Sequence, residues 1–384
     1  MDAKLERRLA GLPALDRRNA AAQAVTCKIC HSATQFSGLT DFLKCAGGHV
    51  FGRSGVGVDW RTCPHCEFLF TSFFDDWTAE DFARFVYNDD YIKVDPEYSG
   101  VRSQRVFASL IPLLPKNGAA RVLDFGGGAG GLARLLRERG IDATSYDPFS
   151  SSERPAGKFD LITCVEVFEH SPDPTATMAE VASFLAPGGA ILLGVSLQPA
   201  NIGQIGPSWW YCAPRNGHCS TYSLKTLALL GNSCALTLHA DERVHWVCWC
   251  FADAPSDLAR RIGPTFQFVT IGAPKSNAAG WHGAENEFRW SAAETLNWRF
   301  PVADAPATVR VKLLYKMEPV PGFARSCKLI VQGKPVPVGP GATIDIAMSA
   351  PGDITAVLTQ DNLICPADRG STDRRRLGVA LLMD

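Results

Sequence analysis

The sequence predicts a multidomain chain in three parts: a small cysteine-organised module, an α/β doubly wound domain and a C-terminal antiparallel β-sandwich. Two Cys-x2-Cys pairs, "CKIC" at 27–30 and "CPHC" at 63–66, organise residues 1–75. From 106 to 253, short apolar runs alternate with helical patterns, as in a parallel sheet covered on both faces. From 265 to 384 the texture changes to short alternating runs, "FQFVTI", "VRVKLLYKM", "CKLIVQG" and "TIDIAM", separated by Pro, Gly and Asn turns without helices. With 384 residues and 46% hydrophobic content, the chain can bury two or three separate cores.

The first part reads as an N-terminal helix and a zinc-binding module. In C-x2-C-x32-C-x2-C, each short turn presents two thiolates to one ion, and a small segment can fold around it. The expected ligands are Cys27, Cys30, Cys63 and Cys66, with His31, Cys45, His49 and His65 near enough in sequence to replace one. A closed four-cysteine site has no open position for substrate, so this zinc is expected to be structural. Residues 76–105 form a helical connector, its helix started by Thr78 with Glu80 and Asp81 in the first turn.

In the α/β part, "RVLDF" (121–125) is a strand, "GGGAGG" (126–131) a glycine loop, and "LARLLRERG" (132–140) a helix with Leu132, Leu135 and Leu136 on one face. "ATSYD" (143–147), "FDLITCVEV" (159–167) and "AILLGVS" (190–196) are further strands, and 234–253 reads as two strands joined by a polar turn. The glycines alone do not identify a ligand, because the loop fits more than one nucleotide-binding pattern. Asp124, two residues before Gly126, would repel a pyrophosphate but suits the cationic amino group of a methionine moiety. Asp147 ends the next strand, where a carboxylate can accept hydrogen bonds from ribose hydroxyls. Together with Gly126, Gly128 and Gly130 they fit S-adenosylmethionine (SAM) better than NAD.

Over 106–252 the sequence resembles the class I SAM-dependent methyltransferases, which implies a Rossmann-like methyltransferase domain. "VLDFGGGAGG" is similar to the family's first motif, "SYDP" to its ribose acid, "FDLITCVEVFEH" to its fourth strand and following loop, and "LAPGGAILLGV" to its fifth strand. One departure is that Asp147 and Asp160 leave little room for the usual third strand. The cysteine module, "CEFLFTSFFDDWTAEDFARFVYNDDYIKVDPEY" and "GPSWWYCAPRNGHCSTYS" resemble bacterial methyltransferases with an N-terminal zinc-binding segment, which implies a sugar or small-molecule acceptor. "GWHGAENEFRW" (280–290) and "DRGSTDRRRLGVALL" (368–382) resemble β-sandwich modules of bacterial polysaccharide-synthesis proteins. There Trp281 and Trp290 read as core or as a sugar-stacking platform.

"EVFEH" at 166–170 follows the strand that points at the cofactor. In a helical turn Glu166, Glu169 and His170 would share a face. Two readings stay open. In one, His170, His218 and Glu169 serve the chemistry, a histidine removing the proton of a hydroxyl acceptor, with Glu166 on the cofactor side and Tyr211 and Tyr222 as weaker candidates. In the other, Glu166, Glu169, His170 and His218 hold Mg²⁺, as a similar pattern implies for ubiquinone-pathway O-methyltransferases and small-RNA 2′-O-methyltransferases.

With 38 basic and 39 acidic residues the chain lacks the positive field that drives nucleic-acid binding. Thirteen cysteines suit a reducing compartment, and no apolar run reaches the roughly 18 residues of a membrane span. The expected protein is a cytoplasmic methyltransferase for a sugar or polar small molecule in surface-polysaccharide metabolism. Its rivals are an RNA methyltransferase that grips RNA through the zinc module and a non-catalytic carbohydrate-binding protein.

Overall fold

The computed structural model describes residues 10, 12, 17–48, 50–114, 120–149, 153–240, 246–271, 273, 279, 281–282, 284, 288–302, 307–319, 321, 323–360, 363–365, 375, 377 and 379–382. His49, and much of 272–287 and 361–378, lie outside them. Two compact units result, Met1–Gly263 and Pro264–Asp384. Among the described residues no helix is long and apolar enough to cross a membrane.

The first unit starts with a short helix, α1 (Arg17–Ala22), and an antiparallel meander of β1 (Gln35–Asp41), β2 (Gly57–Thr62) and β3 (Leu69–Phe70). The connector holds α2 (Ala79–Phe85), α3 (Tyr91–Val94) and α4 (Val101–Leu110). Thr78 and Asp81 form a capping box on α2: the Thr78 hydroxyl accepts from Asp81 N and the Asp81 carboxylate accepts from Thr78 N.

The α/β sheet follows: β4 (Arg121–Phe125), helix α5 (Gly131–Glu138), β5 (Asp142–Tyr146), β6 (Phe159–Val165), helix α6 (Pro174–Phe184) and β7 (Leu185–Gly194). Helix α5 buries Leu132, Ala133 and Leu136, while Leu135 is half-buried. Then come α7 (Ile202–Ile205), β8 (Ser220–Thr221), α8 (Leu224–Asn232), β9 (Leu236–Ala240), β10 (Val247–Phe251) and α9 (Asp257–Ile262). Within this unit the strand order is β9-β10-β7-β6-β4-β5. Pairs β5–β4, β4–β6 and β6–β7 are parallel, whereas β10 runs antiparallel to β7 and β9. Strand β5 ends the sheet: among the described residues no strand lies between it and β6, because eleven or so residues cannot make a crossover and a strand.

The cysteine module and the α/β sheet, read from the sequence as separate parts, are interleaved in this unit. Strand β8 pairs with β3, completing the meander as a four-stranded sheet. Phe42, Trp60, Phe74, Phe82 and Tyr91 share one core with Trp209, Tyr211, Cys212 and Cys219. Burying that aromatic area stabilises both partners at once, at about 25 cal/mol per Å² of apolar surface.

The second unit contains β11 (Thr265–Ile271), β12 (Phe288–Trp290), β13 (Thr295–Val302), β14 (Ala307–Leu313), β15 (Tyr315–Met317), β16 (Lys328–Val331), β17 (Lys334–Val336), β18 (Thr343–Met348), β19 (Gly352–Thr359) and β20 (Ala380–Leu382). Strands β13-β19-β16-β17 form an antiparallel sheet, as do β12-β20-β15, and β18 pairs antiparallel with β14. The expected all-antiparallel arrangement fails at one pair: β11 and β14 are parallel. Parallel neighbours need a long return, and the 35 or so residues between them, β12 and β13 included, provide it. The alternating sides of β14 and β19 bury Val309, Val311, Ile354, Ala356 and Leu358 in a common core. Trp290 is buried beside Leu377 and Ala380, and Trp281 packs on the larger core, so both indoles act as packing residues.

Candidate active site and cysteine centre

The glycine loop leaves β4 through a sharp turn that only glycine tolerates at two points. Gly126 has φ +73°, and a Cβ there would lie 2.5 Å from Val167 Cγ2; a Cβ on Gly127 would lie 2.4 Å from Asp124 Oδ2. Asp124 is buried beneath this loop and accepts from Thr163 Oγ1 at 2.9 Å. Burial raises its pKa to about 7, opposed by the Thr163 bond and assisted by the Asp147 charge. Asp147 ties the loop to the end of β5: its Oδ2 accepts from Gly128 N at 3.0 Å and its Oδ1 from Phe149 N at 2.9 Å.

After β6, "EVFEH" does not form the helical turn expected from its spacing. A single 3-10 turn spans Phe168–His170, and Glu166 stands in the left-handed region at φ 54°. That conformation costs a non-glycine residue of order 1 kcal/mol or more, and here Glu166 N bonds Gly194 O at 3.0 Å. The kink turns the Glu166 carboxylate toward the same space as His170.

The segment 209–222 comes from beyond β7 and brings His218 to this space. Gly217, at φ +90°, allows the approach: a Cβ there would lie 3.2 Å from His170 Nδ1 and from Tyr87 Oη. The His170 and His218 rings meet edge to face at 4.9 Å. One ligand atom from each of Glu166, His170 and His218 lies within 4.8 Å of the others. Cys219 N bonds Glu169 O at 2.6 Å, joining the two loops through their backbones.

Hydrogen bonds divide the donors. His218 Nδ1 donates to Tyr211 O at 2.7 Å, which leaves its Nε2 as the lone-pair nitrogen. His170 Nδ1 lies 3.1 Å from Tyr87 Oη. Tyr211 Oη donates to Glu169 Oε1, and Glu169 Oε2 is buried without a partner among the described residues. Glu169 is therefore outside the group that Glu166 forms with the histidines. Burial raises the Glu169 carboxyl well above the usual carboxylate range, with the Glu166 charge adding to it. Burial also lowers His170 well below its ordinary value and His218 to about 4. Both histidines are thus neutral at neutral pH.

Sequence reasoning missed Tyr87, whose ring and hydroxyl support His170 from the connector, and Arg102, which pairs with Asp95 at 2.7 Å and whose charge opposes the burial that raises the Glu166 carboxyl above its ordinary range. The polar, aromatic-rich connector was their only signal. Tyr222 is a packing residue: its hydroxyl donates to Phe168 O at 2.9 Å in the core.

The four cysteines converge. Cys27, Cys30, Cys63 and Cys66 place their sulfurs within 4.8 Å of one another, and Cys27–Cys66 and Cys30–Cys63 are each 3.4 Å apart. Tetrahedral zinc–sulfur bonds of about 2.3 Å need sulfurs roughly 3.8 Å apart, so this donor set fits the ion. The two turns have matching geometry: His31 N bonds Cys27 O, Glu67 N bonds Cys63 O, and His31 and Glu67 both have left-handed φ. His31, Cys45 and His65 are not in the group. Both turns are tied to the α/β part: Lys28 Nζ donates to Pro172 O, in the loop before α6, at 2.9 Å, and Thr226 Oγ1, in α8, to Cys66 O at 2.8 Å.

Residues 100–237 match the family model described as a methyltransferase domain. A ubiquinone biosynthesis O-methyltransferase from Xanthomonas axonopodis pv. citri (strain 306) is 33% identical over 119 residues, 24% of this chain and 48% of the relative. One of the same name from Aromatoleum aromaticum is 39% identical over 64 residues, 16% of this chain and 27% of the relative. The chain thus spans less than half the length of these curated relatives. Among solved structures, CalO1, a calicheamicin-biosynthesis methyltransferase in its SAH-bound form, aligns at TM-score 0.32 and 16% identity over 43% of this chain and 60% of its own. TnmH aligns at TM-score 0.33 and 17% identity over 44% and 59%. The glycine loop, its two aspartates and the Glu166–His170–His218 cluster all lie inside the segment that matches the methyltransferase-domain model.

Proposed function

We propose that the first unit is a SAM-dependent methyltransferase that acts on a hydroxyl group of a small molecule. The observation that carries this is the neutral His170–His218 pair at the end of β6, one loop away from a glycine turn braced by Asp124 and Asp147. In this reading Gly126, Gly128 and Gly130 make room for the cofactor, Asp147 accepts from its ribose, and Asp124 faces its amino group. Bound SAM supplies a methyl group already activated on a sulfonium, so the protein's share is alignment and proton removal. In that alignment His218 Nε2 would take the proton of the acceptor hydroxyl. Tyr211, bonded to Glu169 and close to Glu166, holds that imidazole through its carbonyl.

A second reading draws on the 4.8 Å grouping of Glu166, His170 and His218, which could hold a divalent cation. Two imidazoles among three ligands suit a borderline transition metal better than the Mg²⁺ of the second sequence reading. For the four cysteines we propose a structural zinc. A sugar acceptor and a surface-polysaccharide setting rest on sequence resemblance alone, whereas the curated relatives are named for ubiquinone biosynthesis.

The test is a calorimetric SAM titration of the wild-type chain and of Asp147→Ala, with mass detection of methylated product. The variant is expected to bind SAM more weakly by about 1.5–3 kcal/mol, as for a hydrogen bond to a charged group. Absence of SAM binding in the wild type would end the methyltransferase reading; equal affinities would move the ribose contact elsewhere.

A further inference from the structure

The two cysteine turns are held from outside as well as by each other. Thr175 Oγ1, in the first turn of α6, donates to Lys28 O at 3.1 Å, and Lys28 Nζ donates to Pro172 O at 2.9 Å. From the first turn of α8, Lys225 Nζ donates to His65 O and Thr226 Oγ1 to Cys66 O at 2.8 Å. None of these bonds uses a sulfur. The turns therefore keep their places when a sulfur changes its chemistry.

The four sulfurs are not equivalent. Cys27, Cys63 and Cys66 are at 0% exposure, whereas Cys30 is half-buried. Cys27 Sγ accepts Ile29 N and Cys63 Sγ accepts Cys66 N, each at 3.4 Å. Such bonds stabilise a thiolate and lower its nucleophilicity. Among the described residues Cys30 has no backbone donor of this kind and meets the side chain of His65 instead. Cys30 Sγ lies 3.4 Å from Cys63 Sγ, on the other turn. An accessible thiolate beside a second sulfur is the arrangement of a thiol that oxidises reversibly.

Resting on the structural-zinc reading, we propose that Cys30 is a redox-modification site, open to oxidants of the peroxide class, with Cys63 as its resolving partner. The Cys30 thiolate attacks one peroxide oxygen: a sulfur–oxygen bond forms, the oxygen–oxygen bond breaks, and hydroxide leaves a sulfenic acid behind. The Cys63 thiolate then attacks the Cys30 sulfur, forming the sulfur–sulfur bond as the sulfur–oxygen bond breaks and a second hydroxide departs. The thiolates lose two electrons and the peroxide gains them, so the balance needs no other oxidant. Cys63 needs no access to solvent for its step, because its target is already beside it. Closing the pair from 3.4 Å to a bond of about 2.05 Å removes two of the four ligands, and the remaining thiolates no longer make a closed tetrahedral site. With both turns still docked on α6 and α8, reduction returns the sulfurs to the same places.

The test exposes the zinc-loaded full chain, freed of reductant, to graded hydrogen peroxide. It follows zinc with a chromophoric chelator and disulfides by peptide mass mapping. Zinc is expected to appear in step with a Cys30–Cys63 disulfide, and dithiothreitol with added zinc to reverse both. Cys30→His, which keeps four ligands, is expected to retain zinc and to lose the peroxide-driven release. The wild-type map decides alone if that variant does not fold. A first disulfide between Cys27 and Cys66, release from Cys30→His, or release that reductant and zinc do not reverse overturns the proposal. So does full oxidation of the half-buried Cys234, Cys327 and Cys365 with the zinc still in place. Wild-type protein that carries no zinc before peroxide is added overturns the structural-zinc reading itself, a separate result.

Discussion

The molecule has two convergent polar clusters, and they are built in opposite ways. In the cysteine centre each half is local: two ligands in one turn, with the same backbone hydrogen bond and the same left-handed residue after the second cysteine. The Glu166–His170–His218 cluster has no repeated half. It needs a kink at Glu166, a glycine at 217 and a hydrogen bond from Cys219 N to Glu169 O to bring together side chains separated by about fifty residues. The first cluster's sulfurs face one another and accept backbone N–H groups of their own two turns, Ile29 N on Cys27 Sγ and Cys66 N on Cys63 Sγ, whereas the second shares its donors with Tyr87 and Tyr211. A self-contained ligand set suits structure, and a shared, partly open one suits chemistry.

That contrast predicts very different responses to mutation. Cys63→Ser should cost most, because coordination by thiolates is itself folding free energy, on the order of 10 kcal/mol for structural zinc. The variant is expected to lose its metal and appear in the insoluble fraction, while wild-type protein carries close to one equivalent of zinc by elemental analysis. A soluble Cys63→Ser protein with a wild-type melting curve would mean that the cysteines merely adjoin.

In the second cluster, His218→Ala and His170→Ala should leave the fold and SAM affinity in place and lower turnover by about 10²–10⁴-fold, the usual effect of losing a general base. Chelation separates the two readings there. A chelator too weak to strip the thiolate site should not change the rate if the histidines act alone, and should abolish it if they hold a cation. In the latter case Glu166→Ala would match His170→Ala in severity.

Buried neutral histidines also leave a signature in stability. The unfolded chain protonates His218 near pH 6.5, but the folded chain does so only near pH 4. Between these values the unfolded state binds more protons, so the contribution is absent above pH 6.5 and stability falls as pH drops toward 4. At roughly 1.4 kcal/mol per pH unit, the gap amounts to about 3 kcal/mol. Asp124 has the opposite sign: its raised pKa favours the folded state at low pH, an advantage lost as pH rises from 3.8 to about 7. Comparing denaturation of wild type and His218→Gln from pH 4 to 7 isolates the histidine, and the difference should shrink as pH falls. Parallel curves would mean that His218 is more solvated than its surroundings suggest.

Legibility in the sequence follows the same division. The convergence of the four cysteines, the helix start at Thr78 and the glycine loop could be read because each depends on spacing within a few residues. The missing strand after β5 was legible for the same reason, as a distance too short to fill. Tyr87 and Arg102 were not, because each acts through a neighbour from a distant segment. The interleaving of the cysteine module with the sheet was hidden too: β8 is two residues long, and no two-residue strand has a pattern. Strands β11 and β14 looked antiparallel because alternation reveals which faces are buried but not chain direction.

The smallest expected effect tests whether the two clusters are as separate as their construction suggests. Lys28 lies inside the first cysteine turn, yet its ammonium donates to Pro172 O at 2.9 Å, two residues past His170, and to Thr71 O at 3.2 Å, while pairing with Asp75. Lys28→Met keeps the aliphatic stem against Phe70 and removes only the charge and its bonds. The backbone bond from Cys219 to Glu169 remains and should hold "EVFEH" nearly in place. A loss of about 1 kcal/mol in stability is expected, with a fall in kcat of a few-fold, no change in SAM affinity and full zinc content. Arginine at this position should restore much of the rate, because it can donate to the same carbonyls. If kcat is unchanged while stability falls, the cysteine centre supports the fold without setting the geometry of the histidines. If kcat falls as far as in His170→Ala, Lys28 aligns His170 and the two clusters work as one device.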